Sequence, residues 1–283
     1  MKIGSKTKHS GAVGGGAASS LREQRNMLCD RMNFSAAEAY KMLRTNLMFA
    51  LPDENRCRIV GVTSSLHGEG KSTTSINLAY TLAETGKEVL LIDADMRLPS
   101  VAKKFALTQS PGLSNVLAGL SKAGDVLQTP LSMMNWRVLP AGDIPPNPSE
   151  LLGSEQMHML LKALAEKFDF IVVDLPPANI VSDAMVLGNW IDGLLVVVRE
   201  GYSNRAALST CMNKLSVLQS KVLGFVMTDV AEKGKEYGRR YGKYYKSYGY
   251  GSYGYSSAYA DAGTGQKRKN RKQQTTRNSI END

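Results

Sequence analysis

Residues 64–73 have the residue types and the spacing of a loop that binds phosphate. The stretch reads Ser-Ser-Leu-His-Gly-Glu-Gly-Lys-Ser-Thr and lies between an apolar run, residues 58–63, and a helix-like segment that begins near Ser72. Glycines let the backbone approach an anion closely, so that several N–H groups point at it. The polyphosphate of a nucleotide is the expected ligand. The residues expected to bind it are Gly68, Glu69, Gly70, Lys71, Ser72 and Thr73.

Two side chains of this loop have a predicted task, and one position departs from the strict motif. Lys71 is expected to reach the β- and γ-phosphates, and Ser72 is expected to present its hydroxyl to Mg2+. The pattern G-x-x-x-x-G-K-[ST] requires glycine at a position where this chain has Ser65. On the loop alone, a flexible glycine-rich turn with an exposed lysine therefore stays open as an alternative.

Three aspartates lie where continuous apolar runs end. Asp93 and Asp95 follow the run that starts at Val89, and Asp174 follows the run that starts at Phe170. Continuous apolar runs are typical of strands buried on both faces, and open parallel sheets bind ligands at the carboxyl ends of their strands. We therefore expect the three carboxylates to converge on the phosphate loop and to serve a metal-bound nucleotide. The alternative is that each one is a solvated turn residue or a helix cap.

The apolar pattern alternates between strands and helices along the chain. Strands are predicted at 58–63, 89–93, 170–174, 194–198 and 222–227, and helices at 35–49, 75–84, 149–167, around 184 and at 205–218. Short helices and loops are predicted from 99 to about 131. Alternation at this spacing implies right-handed crossovers and a parallel sheet. The predicted fold class is α/β: a three-layer P-loop NTPase fold with a mostly parallel central sheet, helices on both faces and disordered tails.

The first predicted helix carries a row of charged side chains. Glu38, Lys41 and Arg44 recur every third residue, which places one acid and two bases along one side of the helix. On periodicity alone, this row is a capping glutamate followed by a solvated charged face. The residues expected on the apolar face of the helix are Ala39, Leu43, Leu47 and Ala50.

Length and cysteine content favour one cytoplasmic domain with tails. The 283 residues can bury one sizeable core. The three cysteines are scattered, odd in number and without metal-ligand spacing, which indicates structural thiols in a reducing cytoplasm. The apolar stretches are far shorter than the about 18 residues needed to cross a bilayer, and the amino terminus has no apolar signal core. We therefore expect recruitment by a partner if the protein works at a membrane.

The carboxyl-terminal part of the chain differs from the rest in composition. Residues 233–283 hold 12 basic and 4 acidic side chains, so nearly all of the net charge of +9 belongs to them. Such a segment cannot bury enough apolar area to fold alone. The expected division is a flexible segment at 1–33, a P-loop domain at 34–232, a tyrosine-rich segment at 233–260 and a basic disordered terminus at 261–283. The tyrosine-rich segment contains nine tyrosines: Tyr237, Tyr241, Tyr244, Tyr245, Tyr248, Tyr250, Tyr253, Tyr255 and Tyr259.

Composition leaves three functions open for the tyrosine-rich segment. One is a low-complexity region for association. Another is a stacking platform for single-stranded nucleic acid, given the interleaved Arg239, Arg240, Lys243 and Lys246. The third is a set of phosphate acceptors.

Taken together, these features resemble the bacterial tyrosine autokinases of capsular and exopolysaccharide synthesis, in the form where the kinase is separate from its membrane partner. The resemblance covers about residues 34–259. It is carried by the phosphate loop, the Asp-x-Asp-x-Arg motif at 93–97, the Asp-Leu-Pro-Pro motif at 174–177, the proline-rich turn at 139–152 and the tyrosine cluster. The family relaxes the first glycine of the loop, so Ser65 agrees with it.

The resemblance implies a reaction and a set of site residues. The γ-phosphoryl group of ATP would pass to tyrosine hydroxyls in the tail of a neighbouring subunit. A free tyrosine has a pKa of about 10, so a carboxylate must assist removal of its proton, and the resemblance assigns that task to Asp93. Lys71 would neutralise charge on the transferred group, and Arg97 would support the acidic cluster by pairing. The residues implied to hold Mg2+ are Ser72, Asp95 and Asp174, and those implied in catalysis are Asp93, Lys71 and Asp95.

The resemblance also implies partners. Glu38, Lys41 and Arg44 correspond to a Glu-x-x-Arg-x-x-Arg self-assembly motif in which Lys41 replaces the first arginine, so a homo-oligomeric ring is expected. A transmembrane activator would recruit the protein to the inner face of the plasma membrane, and a cognate tyrosine phosphatase would reverse the modification. No nucleic-acid partner is expected. His67 and Thr228 stand where the family commonly has proline and asparagine.

Two other classes of protein stay open as alternatives. A non-kinase positioning ATPase shares the fold, but such proteins typically carry a lysine where this chain has Leu66. A nucleic-acid-binding adaptor would use the basic aromatic tail, and salt-dependent binding to DNA or RNA would identify it.

Overall fold

A sheet of six parallel strands lies at the centre of the computed structural model, which describes residues 32, 34–52, 56–130, 135–217 and 221–230. The strands are β1 (Arg58–Ser64), β2 (Val89–Asp93), β3 (Trp136–Leu139), β4 (Phe170–Asp174), β5 (Gly193–Arg199) and β6 (Lys221–Thr228). Their order across the sheet is β3-β2-β4-β1-β5-β6. Because all strands run the same way, the phosphate loop after β1 and the aspartates at the ends of β2 and β4 share one edge.

Helices cover both faces of this sheet. They are α1 (Phe34–Ala50), α2 (Lys71–Ala83), α3 (Val101–Lys104), α4 (Leu113–Leu117), α5 (Ala123–Val126), α6 (Pro148–Leu152), α7 (Glu155–Ala165), α8 (Asp183–Leu187) and α9 (Arg205–Leu215), with a 3-10 turn at Gly188–Trp190. Successive residues of β2 alternate between two buried apolar clusters. One cluster includes Leu47 of α1 and Leu78 of α2, and the other includes Leu161 of α7 and Cys211 of α9. The predicted three-layer α/β fold is confirmed.

The five predicted strands are all present, but β3 was not predicted from the sequence. It has four residues and lies at the edge of the sheet, where it pairs with β2 alone among the strands described. A run this short gives no periodic pattern that separates it from the surrounding loops.

The single helix predicted at 149–167 is wrong, because two helices occupy that stretch. Helix α6 ends at Leu152, and α7 begins at Glu155. The hydroxyl of Ser154 accepts the N–H of Met157 at 3.3 Å, which is a helix cap that starts α7 anew. Residues 153–156 hold no large apolar side chain, so the buried face of α7 starts again at Met157, and the prediction missed this local signal.

The apolar face predicted for α1 is wrong in part. Ala39 and Ala50 are exposed, whereas Leu43 is half-buried and Leu47 is buried. Tyr40 completes the contact face instead, and burial raises the pKa of its phenol even though Asn77 and Thr74 contact it. The helix therefore packs through large side chains at positions 40, 43 and 47, a spacing of three and four residues.

The predicted flexible segment at 1–33, apart from Met32, lies outside the described residues, as do the tyrosine-rich segment and the basic terminus. Within the described ranges, none of the helices has the length and apolar character that crossing a bilayer requires.

Candidate active site

The phosphate loop connects the central strand β1 to the first turn of α2. Gly68 and Gly70 have φ angles of 76° and 95°, which lie in the left-handed region that favours glycine. A side chain at Gly70 would also approach the Thr228 side chain to 3.3 Å. The tight turn delivers Lys71 as the first residue of α2, so the free N–H groups of a 13-residue helix face the loop. All six residues predicted to bind phosphate lie in this loop and first turn.

Within the loop, the side chain of Glu69 is fully buried and connects parts of the loop and of the segment after β5 through hydrogen bonds. Its carboxylate accepts hydrogen bonds from the Ser65 hydroxyl at 2.9 and 3.1 Å, from the Leu66 N–H at 2.7 Å and from the Ser203 hydroxyl. Ser65, which replaces the first glycine of the motif, is therefore bonded inside the loop. The sequence placed Glu69 in the binding loop but gave no signal for this use of its side chain.

The ends of β5 and β6 hold the same loop from one side. The Arg199 guanidinium donates to the Gly68 carbonyl oxygen at 3.1 Å and pairs with Asp229 at 2.8 Å. The Thr228 hydroxyl donates to the Glu69 carbonyl oxygen at 2.6 Å. Neither Arg199 nor Ser203 was identified from the sequence, because no motif marks residues that contact a loop about 130 positions away.

Lys71 and the three predicted aspartates come together at the carboxyl edge of the sheet. Asp93 and Asp174 are opposite each other in the β2–β4 register. The Lys71 ammonium group donates to Asp95 Oδ2 at 2.7 Å, and both side chains are almost fully buried. The Ser75 hydroxyl donates to Asp174 Oδ1 at 3.1 Å. A buried cation thus lies among three buried carboxylates.

Burial and mutual repulsion raise the pKa values of two of these carboxyl groups. Burial, followed by the charge of Asp174, raises the pKa of Asp93 to about 8. Burial also raises the pKa of Asp174, although Lys71 opposes that shift. Burial disfavours the charged form of Lys71, but the charges of Asp174 and Asp95 outweigh it, so the Lys71 pKa is raised. Burial therefore favours the protonated form of Asp93, and the neighbouring carboxylates favour the charged form of Lys71.

The oxygen atoms at this edge fit Mg2+. Asp174 Oδ2 is buried and has no hydrogen-bond partner among the described residues. The Ser72 hydroxyl contacts Asp174, and Asp95 adds a second carboxylate. Mg2+ is usually bound through one or two carboxylates together with water and phosphate oxygens, and the side chains of Ser72, Asp95 and Asp174 offer such a set of oxygen donors.

Arg97 does not pair with the acidic cluster, so that prediction is wrong. Its guanidinium donates to both oxygens of Asp183, at 3.3 and 3.4 Å, and to the Ser149 hydroxyl at 3.0 Å. The partners that it contacts instead are Asp183, the first residue of α8, and Ser149 of α6.

The three charged residues of the row on α1 lie in two different environments. Glu38 and Lys41 pair with each other at 2.8 Å, with both side chains exposed. Arg44 turns inward and donates to the Thr81 carbonyl oxygen in α2 at 2.7 Å. His67 is exposed at the tip of the phosphate loop. The predicted acceptor tyrosines lie outside the described residues.

Known proteins share this arrangement in sequence and in structure. The profile of the AAA domain matches residues 57–223. Tyrosine-protein kinase YwqD of Bacillus subtilis (strain 168) is 39% identical over 219 residues, which cover 77% of this chain and 92% of the relative. The putative tyrosine-protein kinase CapB of Staphylococcus aureus is 33% identical over 215 residues, covering 76% and 93% of the two chains.

A solved structure agrees with these sequence relatives. The kinase domain of Escherichia coli tyrosine kinase ETK superposes with a TM-score of 0.67 at 33% identity, covering 71% of this chain and 78% of that one. The chain spans most of the length of these relatives, and the match includes the phosphate loop and the three aspartates' strands. The chain therefore belongs to the family of bacterial tyrosine-protein kinases.

Proposed function

We propose that this kinase transfers the γ-phosphoryl group of ATP to tyrosine hydroxyls at 237–259 in the tail of a neighbouring copy. The observation that supports the proposal most is the buried Lys71 beside Asp93, Asp95 and Asp174 at the mouth of a glycine-rich loop. A cation and acids at the start of a helix serve to grip a metal-bound triphosphate.

The loop and its lysine would bind and orient the nucleotide. The N–H groups at Gly68, Glu69 and Gly70 and at the start of α2 surround the phosphates, and Lys71 exchanges Asp95 for phosphate oxygens. Ser72, Asp95 and Asp174 would hold Mg2+, which supplies positive charge against the charge that spreads over the transferred group. Thr73 adds an N–H group of the first helical turn.

Asp93 is the residue proposed to accept the phenol proton. Its raised pKa, about 8, brings its basicity close to that needed near neutral pH. Backbone N–H groups of Ser100 and Val101 hold one of its oxygens at 3.1 and 3.0 Å, so the side chain is fixed in orientation. Asp93 must lose its own proton before it accepts that of the phenol, and the charge of Lys71 favours that loss.

The wider role follows from the family. We place the kinase in the control of capsular or exopolysaccharide synthesis or export, as a homo-oligomeric ring at the inner face of the plasma membrane. A transmembrane activator would recruit it from the cytoplasm, and a tyrosine phosphatase would reset it. The relatives reported above are named tyrosine-protein kinases, which favours this role over that of a positioning ATPase or a nucleic-acid-binding adaptor.

Mixing two altered copies tests transfer between subunits. The kinase copy has all nine tail tyrosines replaced by alanine, and the acceptor copy carries Lys71→Met with its tail intact. With ATP and Mg2+, phosphotyrosine should form in the acceptor copy only when the kinase copy is present. Phosphotyrosine that never forms in the mixture, although the unaltered chain modifies itself, would show that transfer stays within one chain.

A further inference from the structure

One buried carboxylate ties together three loops beside the acidic cluster. Asp183, fully buried at the start of α8, accepts hydrogen bonds from Arg97 at 3.3 Å and from the Ser149 hydroxyl at 2.5 Å. Arg97 belongs to the loop after β2, Ser149 to the segment after β3, and Asp183 to the segment after β4. Because β3, β2 and β4 are neighbours in the sheet, these loops lie side by side at the edge where Asp93 and Asp174 are found.

Each of the three loops presents one large aliphatic side chain to solvent. Leu98 is 62% exposed, Ile144 is 67% exposed and Ile180 is 50% exposed; we call these three residues the acceptor rim. The Leu98 N–H donates to Asp95 Oδ1 at 3.1 Å, so the rim begins one hydrogen bond away from the acidic cluster. A single exposed aliphatic residue is ordinary, but three on loops that follow neighbouring strands and are joined through Asp183 offer apolar area of the kind that an aromatic ring covers.

Acidic side chains accompany the rim. Asp143 and Glu150, on either side of the proline-rich turn that carries Ile144, are both exposed. A hydrogen bond from Asn115 lowers the pKa of Asp143, so that carboxylate stays charged at neutral pH. The tyrosine-rich segment carries the opposite charge between its tyrosines, from Arg239, Arg240, Lys243 and Lys246. Arg97, beside Leu98, is partly exposed, but its charge is paired with that of Asp183. An apolar rim flanked by these two acids and a basic aromatic segment are therefore complementary.

We propose that the acceptor rim seats the ring of a tail tyrosine from a second copy of this chain, so that its hydroxyl enters the site of Asp93. This inference rests on the proposed function and adds the basis of acceptor choice. A tyrosine can contact apolar surface with its ring while its hydroxyl extends beyond it, whereas serine and threonine have no ring to make that contact. The preferred acceptor is a tyrosine flanked by basic residues.

The two-copy mixture described above tests the rim when the acceptor concentration is varied. Alanine in place of the nine tail tyrosines keeps the kinase copy's own tail from competing for the rim. Leu98→Ala with Ile180→Ala in the kinase copy should raise the half-saturating acceptor concentration about tenfold, because apolar contact area is lost. The matched control is Val217→Ala, which removes a side chain that is 74% exposed after α9, near the opposite edge of the sheet.

A second readout separates acceptor binding from damage to the nucleotide site. The affinity for ADP with Mg2+ should be the same in the double variant and in the kinase copy that lacks only its tail tyrosines. An unchanged half-saturating acceptor concentration in the double variant would contradict the proposed rim. The proposal would also fail if a loss of ADP affinity or of oligomer mass explained the whole rise in that concentration. Absence of phosphotyrosine from the unaltered chain would overturn the proposed function itself, and the rim with it.

The attraction between the acidic residues beside the rim and the basic tail can be tested separately in the same assay. Raising the salt concentration should raise the half-saturating acceptor concentration, since screening weakens the attraction between rim and tail. Asp143→Asn with Glu150→Gln in the kinase copy should reduce that salt dependence. A salt dependence that is equal in both forms would contradict the acidic part of the rim.

Discussion

Lys71 makes a short, buried ionic contact with Asp95 at the carboxyl edge of the sheet. Its ammonium group is 2.7 Å from Asp95, and the two side chains are 11% and 2% exposed. A buried pair is costly to break from one side, because the remaining charge is left without compensation. In the proposed function, phosphate oxygens compensate the charge of Lys71 in place of Asp95, so that the lysine keeps a partner throughout.

Lys71→Met is expected to abolish phosphotransfer and to destabilise the nucleotide-free chain. Three buried carboxylates would lose their cation, so the free energy of unfolding should fall by about 3–5 kcal/mol. Urea denaturation at pH 7 without nucleotide measures this. The control is Lys41→Met, which breaks an exposed pair with Glu38 and should leave the denaturation midpoint in place. Equal midpoints for Lys71→Met and the unaltered chain would contradict a buried ion pair.

Glu69→Ala is expected to lower the affinity for ADP about tenfold, because Ser65, Leu66 and Ser203 lose a shared acceptor and the loop is no longer fixed. Glu69→Gln keeps one acceptor oxygen and should show a smaller loss. Isothermal titration calorimetry with ADP and Mg2+ compares the two variants, and Glu166→Ala, an exposed acid after α7, is the control. If Glu69→Gln bound ADP as weakly as Glu69→Ala, one retained acceptor oxygen would not be enough to hold the loop, and that part of the account would be contradicted.

Residue types and strand ends were enough to predict Lys71 and the aspartates, because a parallel sheet brings its carboxyl ends together. The partners of Arg97 and Glu69 could not be predicted in this way. Asp183 is 86 positions from Arg97, and Ser203 is 134 positions from Glu69. Such contacts depend on how loops from different strands meet, and the spacing of residues within one loop carries no trace of them.

Among the elements, the turn from β1 into α2 sets the geometry of the phosphate loop. Gly70→Ala should lower ADP affinity about tenfold, because a φ of 95° strains any L side chain and the added carbon would lie 3.3 Å from Thr228. Gly86→Ala is the matched control, with a φ of 81° and no atom within 4 Å of the added carbon. It lies past the other end of α2, so it should lower stability but leave ADP affinity unchanged. Equal ADP affinities in the two variants would contradict a special role for Gly70.

The accuracy of the predicted elements follows from their length and apolar content. A buried strand such as β4 begins with four consecutive apolar residues, and its sequence signal is strong. The four residues of β3 include Arg137, and their place in the sheet depends on a tertiary contact with β2 that the local pattern does not encode. The break between α6 and α7 is marked locally instead, by Gly153 and by the cap at Ser154.

At the scale of the whole molecule, α1 carries a contact that stabilises one chain and the charged row proposed to serve assembly between chains. Arg44→Ala should lower the free energy of unfolding by about 1–2 kcal/mol, because its bond to the Thr81 carbonyl oxygen is lost. Lys41→Ala should leave stability unchanged but reduce the mass of the oligomer, since Lys41 and Glu38 are exposed on the proposed assembly face. Denaturation and light scattering measure the two effects. Unchanged oligomer mass in Lys41→Ala would contradict assembly through this row.

Phosphopeptide mapping of the full chain tests the central claim most directly. The purified protein is incubated with ATP and Mg2+, digested and analysed by mass spectrometry, in parallel with Lys71→Met. We predict phosphate on tyrosines between residues 237 and 259 in the unaltered chain and none in the variant. Tail tyrosines that stay unmodified, or that are modified equally when Lys71 is replaced, would contradict the account.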